Sequence, residues 1–523
     1  LTDADTGAGA RPHTGSGTDA ELASRRRYLV LAICCMSLLI VSVDTTALNV
    51  ALPDIRADLD ASVSGLQWVV DAYTLVLAGL LMLAGSTADR LGRRRVFRWG
   101  LALFVLGSLL CSLAPGLGWL VAARALQAVG GSMLNPVAMS IITNTFTEPR
   151  ERARAIGVWG GVVGISMAAG PLLGGLLVQV SGWQAIFWVN VPVGLAAMLL
   201  TTRYIPESRA PRARRADPGG QALMVVLLAG LTFGIIESPH RGLLSPLVLG
   251  CAAVALLALV ALPLYEARRS EPLIDPRFFR SVPFAGATAT AVCAFAALGG
   301  FLFLTSLYLQ EVRGMSALHA GLCLLPMAVM TLLFAPLSGR LVGNRGPRVP
   351  LLAAGVGLAA CGVLLARTAS ADLPLGVLFA GFVLFGVGFG LVNAPITNSA
   401  VSGMPRAQAG VAAAVASTSR QVGSSLGVAV IGAVMAGATA GGGAGGGLRD
   451  AAGFQDAQRT AWWIITGCGV AVFALGAATT GRWARGTARR AAHLLEEPTG
   501  APPAPAPRPA PHSTRTGGKG TAT

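Results

Sequence analysis

Gly85-Ser86-Thr87-Ala88-Asp89-Arg90-Leu91-Gly92-Arg93-Arg94-Arg95 lies between two long apolar runs, residues 66 to 84 and 96 to 114. Two glycines, one acid and four arginines crowd this stretch, at a place where an apolar chain must reverse direction. Charge at that density is costly in hydrocarbon, so the stretch marks the end of one membrane span and the start of the next. Asp89 and Arg93 stand four apart, the separation at which an acid and a base pair along a helix.

The rest of the chain repeats this alternation. Of 523 residues 53% are hydrophobic and 12% charged, with a mean hydropathy of +0.64, more apolar surface than one water-soluble core can bury. A spanning helix takes about 20 largely apolar residues. Fourteen segments qualify: 28–50, 66–84, 96–114, 119–142, 153–177, 184–202, 219–237, 244–264, 284–308, 316–338, 349–366, 374–398, 408–436 and 460–480. They read as helices because no period-two alternation runs through them, and an open sheet cannot satisfy its backbone in lipid. The expected fold is an all-α polytopic membrane protein.

With the amino terminus in the cytoplasm, the inner loops hold twenty-one Arg and the outer loops six: Arg56, Arg241, Arg313, Arg367, Arg449 and Arg459. That asymmetry sets both termini in the cytoplasm by the positive-inside rule. The net charge of +16 is then mostly topological, which argues against nucleic acid as a partner. Lys519 is the only lysine, and all eight Cys fall inside the spans, where they behave as small apolar residues and point to no disulfide or metal site.

Composition divides the chain into a cytoplasmic tail (1–27), a six-helix bundle (28–203), a basic linker (204–218), an extra hairpin (219–264), a second linker (265–283), a second six-helix bundle (284–480) and a disordered Pro/Ala-rich tail (481–523). Gly339, Gly346 and Arg348 repeat the spacing of Gly85, Gly92 and Arg94, with Gly343 where the first copy has Asp89. Such an echo suits two halves that rock around a midplane site. Trp68, Trp119, Trp183, Trp462 and Trp463 at one set of span ends, with Trp99 and Trp483 at the other, read as an interfacial belt.

Asp44 lies deep in the first span, where an ionised carboxylate costs about 2.5–3.5 kcal/mol on insertion scales. It therefore faces a cavity or carries a proton for part of a cycle, and a carboxylate whose water access changes can take up and release one. An Asp bonded to Thr45 or Asn49 without titrating is the alternative. Asp71, near the outer interface, is a second and better hydrated acid. Arg124 is one of two Arg deep inside the spans; a guanidinium there can hold a carboxylate charged or let it go. The fifth span carries Gly157, Gly160, Gly161, Gly164, Gly170-Pro171 and Gly174-Gly175, which permit close helix contact and a kink.

These motifs together resemble the major facilitator superfamily, and within it the fourteen-spanner drug:proton antiporters. Residues Gly85 to Arg95 are similar to the loop signature between the second and third helices, which implies that Gly85, Asp89, Arg90, Gly92, Arg93 and Arg94 form a conformational gate that latches the halves at the cytoplasmic side. Asp44-x-x-Ala47-Leu48-Asn49-Val50-Ala51-Leu52-Pro53-Asp54 resembles the first-helix signature, and Leu120-x-x-x-Arg124-x-x-Gln127-x-x-Gly130-Gly131 the fourth-helix motif, although Ala128 departs from it; Asp44 and Arg124 are then the proton-coupling pair. Gly170-Pro171-x-x-Gly174-Gly175 matches the motif that separates antiporters from symporters, with Ser166 in place of a Gly. Arg420-Gln421-x-Gly423 and Trp183-x-x-x-Phe187-x-x-Asn190-Val191-Pro192-x-Gly194 are similar to runs in the same family, whereas Pro206-Glu207-Ser208-Arg209 only superficially resembles a sugar-porter sequence.

The resemblance implies a major facilitator fold of two six-helix bundles plus two extra helices, fourteen transmembrane helices in all, in a bacterial cytoplasmic membrane. It implies a monomeric proton-coupled antiporter that exports amphipathic drugs or antibiotics, with protons, the bilayer and a small amphipathic substrate as partners and no cofactor. Gln127, Asn393, Asn398, Arg420 and Gln421 are the expected cavity lining. A carrier of an endogenous metabolite, osmolyte or lipid is the other reading. No G-x-x-x-x-G-K-[ST] occurs, and His13, His240, His319, His493 and His512 make no catalytic cluster, so an ATP-driven pump and a membrane enzyme are disfavoured. Reporter fusions should place residues 1–27, 203–218 and 481–523 in the cytoplasm and show the 219–264 hairpin crossing twice. An exported reporter at residue 210 would overturn the orientation.

Overall fold

The computed structural model describes residues 16–209, 217–269, 274–370, 373–401, 404, 409–440 and 453–496; the heart of the basic linker, Arg406, the Gly441–Gly447 loop and the Pro498–Pro511 run lie outside them. The helices are α1 (Ser16–Asp58), α2 (Val63–Leu91), α3 (Arg93–Ser112), α4 (Leu117–Thr145), α5 (Pro149–Ser181), α6 (Ala185–Trp188), α7 (Asn190–Tyr204), α8 (Pro218–Arg241), α9 (Pro246–Glu266), α10 (Val282–Leu307), α11 (Ala317–Cys323), α12 (Leu325–Arg345), α13 (Arg348–Thr368), α14 (Leu375–Val401), α15 (Ala409–Ala440), α16 (Phe454–Thr479) and α17 (Arg482–Glu496). Among the described residues, twelve helical stretches are long and apolar enough to cross a membrane. The other two expected segments, 153–177 and 408–436, fall on α5 and α15.

Two spans are built from two helices each, and proline is the cause. Pro192 has no N–H and its ring crowds the carbonyl of Trp188, which cuts the sixth span between α6 and α7. Pro326 cuts the tenth between α11 and α12 in the same way. The ninth span ends in a π-helical turn, Tyr308–Val312, which sets Gln310 and Glu311 at its end.

In the first half α1 packs on α5 and α7, and α3 on α4 and α7; in the second, α10 packs on α15 and α16, and α13 on α14 and α16. Helices α8 and α9 pack on each other, and α8 leans on α2 and α15 from outside. Leu256, Leu257, Val260 and Leu264 of α9 stay exposed, as a lipid-facing surface requires. One apolar core joins the second half to the α1–α2 end of the first. A separate core, with Val30, Phe97, Phe104, Ile141 and Phe146, serves the end of the first half that carries the Gly85–Arg95 loop. The two halves thus share a core at one face of the bundle; among the described residues the opposite face, called here the loop face, has no shared one.

The structure corrects several expectations. Helix α1 extends past the expected span at 28–50 to begin at Ser16, in a run rich in good helix formers. The tail expected to be disordered from 481 is helical over Arg482–Glu496. Ala484, Thr487, Ala488 and Ala491 form its buried stripe, α17 packs on α10 and the turn Pro276–Arg280, and Thr487 Oγ1 accepts the N–H of Val282 at 3.0 Å. Trp183 and Trp462 are core residues, not belt residues: Trp183 Nε1 donates to Asp58 at 2.8 Å, and Trp462 packs edge-on to Phe301. Trp99, Trp119, Trp463 and Trp483 remain exposed, as a belt requires.

Helices α3 and α4 approach backbone to backbone, so that a Cβ on Gly107 would stand 2.5 Å from the Cα of Gln127 and 2.6 Å from its nitrogen. Backbone cannot yield as a side chain can. Gly107→Ala is expected to push α3 from α4 at about 1–3 kcal/mol of overpacking, read as a lower unfolding temperature of the detergent-solubilised protein. An unchanged melting temperature would contradict this contact.

Candidate functional site

Asp44 and Arg124 meet in the middle of the first half. Their side chains are 0% and 1% exposed, and Arg124 Nη1 lies 2.5 Å from Asp44 Oδ2. Asp44 Oδ1 accepts from Gln127 Nε2 at 2.9 Å and from Asn190 Nδ2 at 2.8 Å. Arg124 Nη1 also donates to Gln127 Oε1 at 2.6 Å, and its Nε to the carbonyl of Val69 at 3.3 Å. The guanidinium lies 4.3 Å from the ring centroid of Tyr73 and 5.7 Å from that of Phe187. Four spans are thereby tied together: α1 by Asp44, α2 by Val69 and Tyr73, α4 by Arg124 and Gln127, and the sixth span by Phe187 and Asn190. Three N–H donors converge on the two carboxylate oxygens. The alternative partners do not engage Asp44: Asn49 Nδ2 donates to the Thr45 carbonyl and Thr45 Oγ1 to that of Val41.

Asp71, expected to be hydrated, is buried. It accepts from Thr74 Oγ1 at 3.2 Å, with Ser425 of α15 beside it, because α2 and α15 pack together where the halves share their core.

At the loop face, Arg93 Nη2 and Nε bond Asp89 Oδ1 at 2.9 and 3.1 Å, the i,i+4 pair the spacing predicts. Gly92 joins α2 to α3 at φ +115°, a region that disfavours side chains, and a Cβ there would also strike the Glu207 carboxylate. Glu207 Oε1 accepts the N–H of Arg94 at 3.1 Å, and the carbonyl of Ser208 accepts that of Arg93 at 2.9 Å. The Pro206–Arg209 run therefore caps the amino terminus of α3, where an acid offsets the helix dipole. Gly346 repeats the joint between α12 and α13 at φ +78°. Among the described residues the hydrogen bonds of Asp89 stay within the first half, so the expected latch between halves is not engaged in this conformation.

The described hydrogen bonds between the halves lie away from the loop face. Arg56 pairs with Glu311, Ser306 donates to the carbonyl of Asn49, Gln310 Nε2 to that of Val50 at 2.7 Å, and Gln67 Nε2 to that of Ala429 at 2.8 Å. The fifth-span motif sits in the same seam. Gly170 and Gly174 press against Thr46 and Ala47 of α1, Gly175 against the Ala317 backbone of α11, and Gly321 of α11 against the Pro171 carbonyl.

Toward the loop face, a cavity of about 570 Å³ is lined by Gly339, Val342, Ala394, Thr397, Asn398 and Val401. Arg420 Nη1 donates to Thr397 Oγ1 at 3.3 Å, beside this cavity, with no carboxylate partner among the described residues. Asn393, Arg420 and Gln421 are half-buried and Asn398 is exposed. Gln127, expected in the cavity, is fully buried and bonded to Asp44 and Ser108. Asn190, Ser108 and Glu207 received no role from sequence; a polar residue inside a span was the available signal for the first two, and for Glu207 an acid just after a basic helix end.

The sequence profile of the Major Facilitator Superfamily matches residues 34–428. The chain is 39% identical over 407 residues to "Multidrug resistance protein Stp" of Mycobacterium tuberculosis, covering 77% of this chain and 75% of that one. It is 39% identical over 404 residues to the "Tetracenomycin C resistance and export protein" of Streptomyces glaucescens, covering 77% and 74%. Among solved structures, the crystal structure of a bacterial homologue of the human lysosomal transporter Spinster, in an inward-facing and unoccupied conformation, aligns with a TM-score of 0.59 at 18% identity, covering 91% of this chain and 99% of that one.

Glu207→Ala is expected to uncap α3 at about 0.5–2 kcal/mol, seen as a lower unfolding temperature, while Gly92→Ala costs more because it adds backbone strain. Equal stability of wild type and Glu207→Ala would remove Glu207 from the joint.

Proposed function

The chain belongs to the major facilitator superfamily, and we propose that it is a proton-coupled antiporter that exports amphipathic drugs or antibiotics across a bacterial cytoplasmic membrane. The observation that carries this reading is a buried carboxyl group that accepts from three N–H donors, one on a guanidinium that shifting helices can withdraw. In the proposed cycle Asp44 has released its proton in the present conformation, closed away from the loop face. When the halves rock to open the opposite face, Arg124 is drawn off, water reaches Asp44, and a proton replaces the guanidinium as its partner. The loop face is assigned to the cytoplasm by the arginine asymmetry.

Each motif takes a part in this scheme. Gly85, Asp89, Arg90, Gly92, Arg93 and Arg94 form the loop-face gate, with Asp89 exchanging Arg93 for a group of the second half when that face closes. Gly170, Pro171, Gly174 and Gly175 form the seal that keeps protons from leaking past the closed seam. Residues 28–203 and 284–480 move as the two halves of one monomer, and the α8–α9 pair rides beside them. Spans nine to fourteen hold no acid in their apolar cores, while Arg420 and Asn398 face the cavity region, so the cargo is neutral or singly charged rather than dicationic. Apolar walls with few polar groups suit amphipathic molecules of that kind.

Expression in a sensitive bacterial host should raise tolerance to at least one bulky antibiotic, and a protonophore should cancel the gain. Asp44→Asn should abolish proton-driven export with the protein still inserted, because an amide does not titrate. Full export and unchanged pH dependence in Asp44→Asn would move the proton site elsewhere. Unchanged tolerance across a broad panel, with correct insertion, would favour the carrier of an endogenous metabolite, osmolyte or lipid.

A further inference from the structure

We propose that α17, with the turn before α10, is a binding surface for the headgroups of anionic phospholipids. Helix α17 is sorted into two faces. Ala484, Thr487, Ala488 and Ala491 are buried at helical spacing, while Arg482, Arg485, Arg489 and Arg490 are exposed, as is Trp483 at 69%. The turn Pro276–Arg280, on which α17 packs, adds exposed Arg280 and Phe279. Arg277 of that turn is taken by Asp275 at 2.8 Å, but the other five arginines have no ion-pair partner among the described residues.

The depth of this patch is fixed by the spans beside it. Trp483 comes four residues after Thr479, where α16 ends, and Phe279 three residues before Val282, where α10 begins. Both aromatic rings therefore stand where hydrocarbon gives way to headgroups, the zone that tryptophan favours. Arginine forks match phosphate geometry, and each basic residue near an anionic leaflet strengthens binding by about fivefold. Topology alone needs arginines in the loop but no folded helix with every one of them turned outward. A soluble polyanion would use the arginines but gain nothing from two exposed rings. Because Thr487 Oγ1 caps the first residue of α10, lipid held by α17 is held against the second half of the bundle.

Native mass spectrometry of the full-length protein in neutral detergent, offered equal phosphatidylglycerol and phosphatidylcholine, tests the surface without relying on transport. Phosphatidylglycerol should be retained in preference, and R482Q/R485Q/R489Q/R490Q should reduce that preference at least about tenfold, with an unchanged unfolding temperature. A control carrying R340Q/R345Q/R348Q, arginines exposed elsewhere on the loop face, should keep it. Should the quadruple variant unfold, R485Q/R489Q with the same readout takes its place, with a smaller loss expected. Equal retention of the two lipids, a preference that survives the substitutions or is lost equally in the control, or displacement of the lipid by equimolar inorganic phosphate or heparin would overturn the proposal.

Discussion

The pairing of Asp44 with Arg124 is the constraint on which the first half depends. An acid and a base are buried together, and the desolvation cost of each is met only because the other is in contact. Removing either partner alone leaves an uncompensated charge, at roughly 3–5 kcal/mol. The surroundings follow from this requirement. Gln127 turns its oxygen to the cation and its amide to the anion, Asn190 supplies a further donor, and the Tyr73 ring covers the guanidinium. Even the bare backbone of Gly107 belongs to the arrangement, since a side chain there would displace Gln127. A site so fully paired changes state by exchanging partners, which is what moving helices can do.

Much of the fold was legible in the sequence, because solvation by lipid leaves a coarse signal: long apolar runs separated by short arginine-rich turns. The candidate site was half legible. Asp44 and Arg124 stood out singly as charges inside spans, yet nothing in the chain says that residues eighty positions apart touch. Asn190 and Ser108 were hidden because a neutral polar group in a span is ordinary. Glu207 was hidden because its role is to cap a helix more than a hundred residues earlier. The errors have a common physical form. Trp183, Trp462 and Asp71 were placed from their distance to a span end, but exposure is set by which neighbour covers a side chain. Helix α17 was missed because alanine and threonine make a buried stripe that hydropathy hardly registers.

The two faces of the bundle are held differently. At the loop face Glu207 and the Asp89–Arg93 pair stiffen the joint between α2 and α3, with each partner in the same half. Away from it, Arg56, Gln67, Ser306 and Gln310 reach across to groups of the other half, two of them from the π-helical end of the ninth span or the helix just before it. Stiffness within a half and reversible bonds between halves are what separate a moving part from its bearing.

The contact of Gly175 with the Ala317 backbone, and of Gly321 with the Pro171 carbonyl, is made almost wholly of main chain. Main chain has no rotamers. Closing this part of the seam freezes no side chain and so forfeits none of the entropy that a leucine or methionine gasket would lose. Nor can such a surface soften by degrees, since no side chain can swing aside to admit a single water molecule. It parts only when whole helices part, which makes its tightness a matter of rigid-body fit.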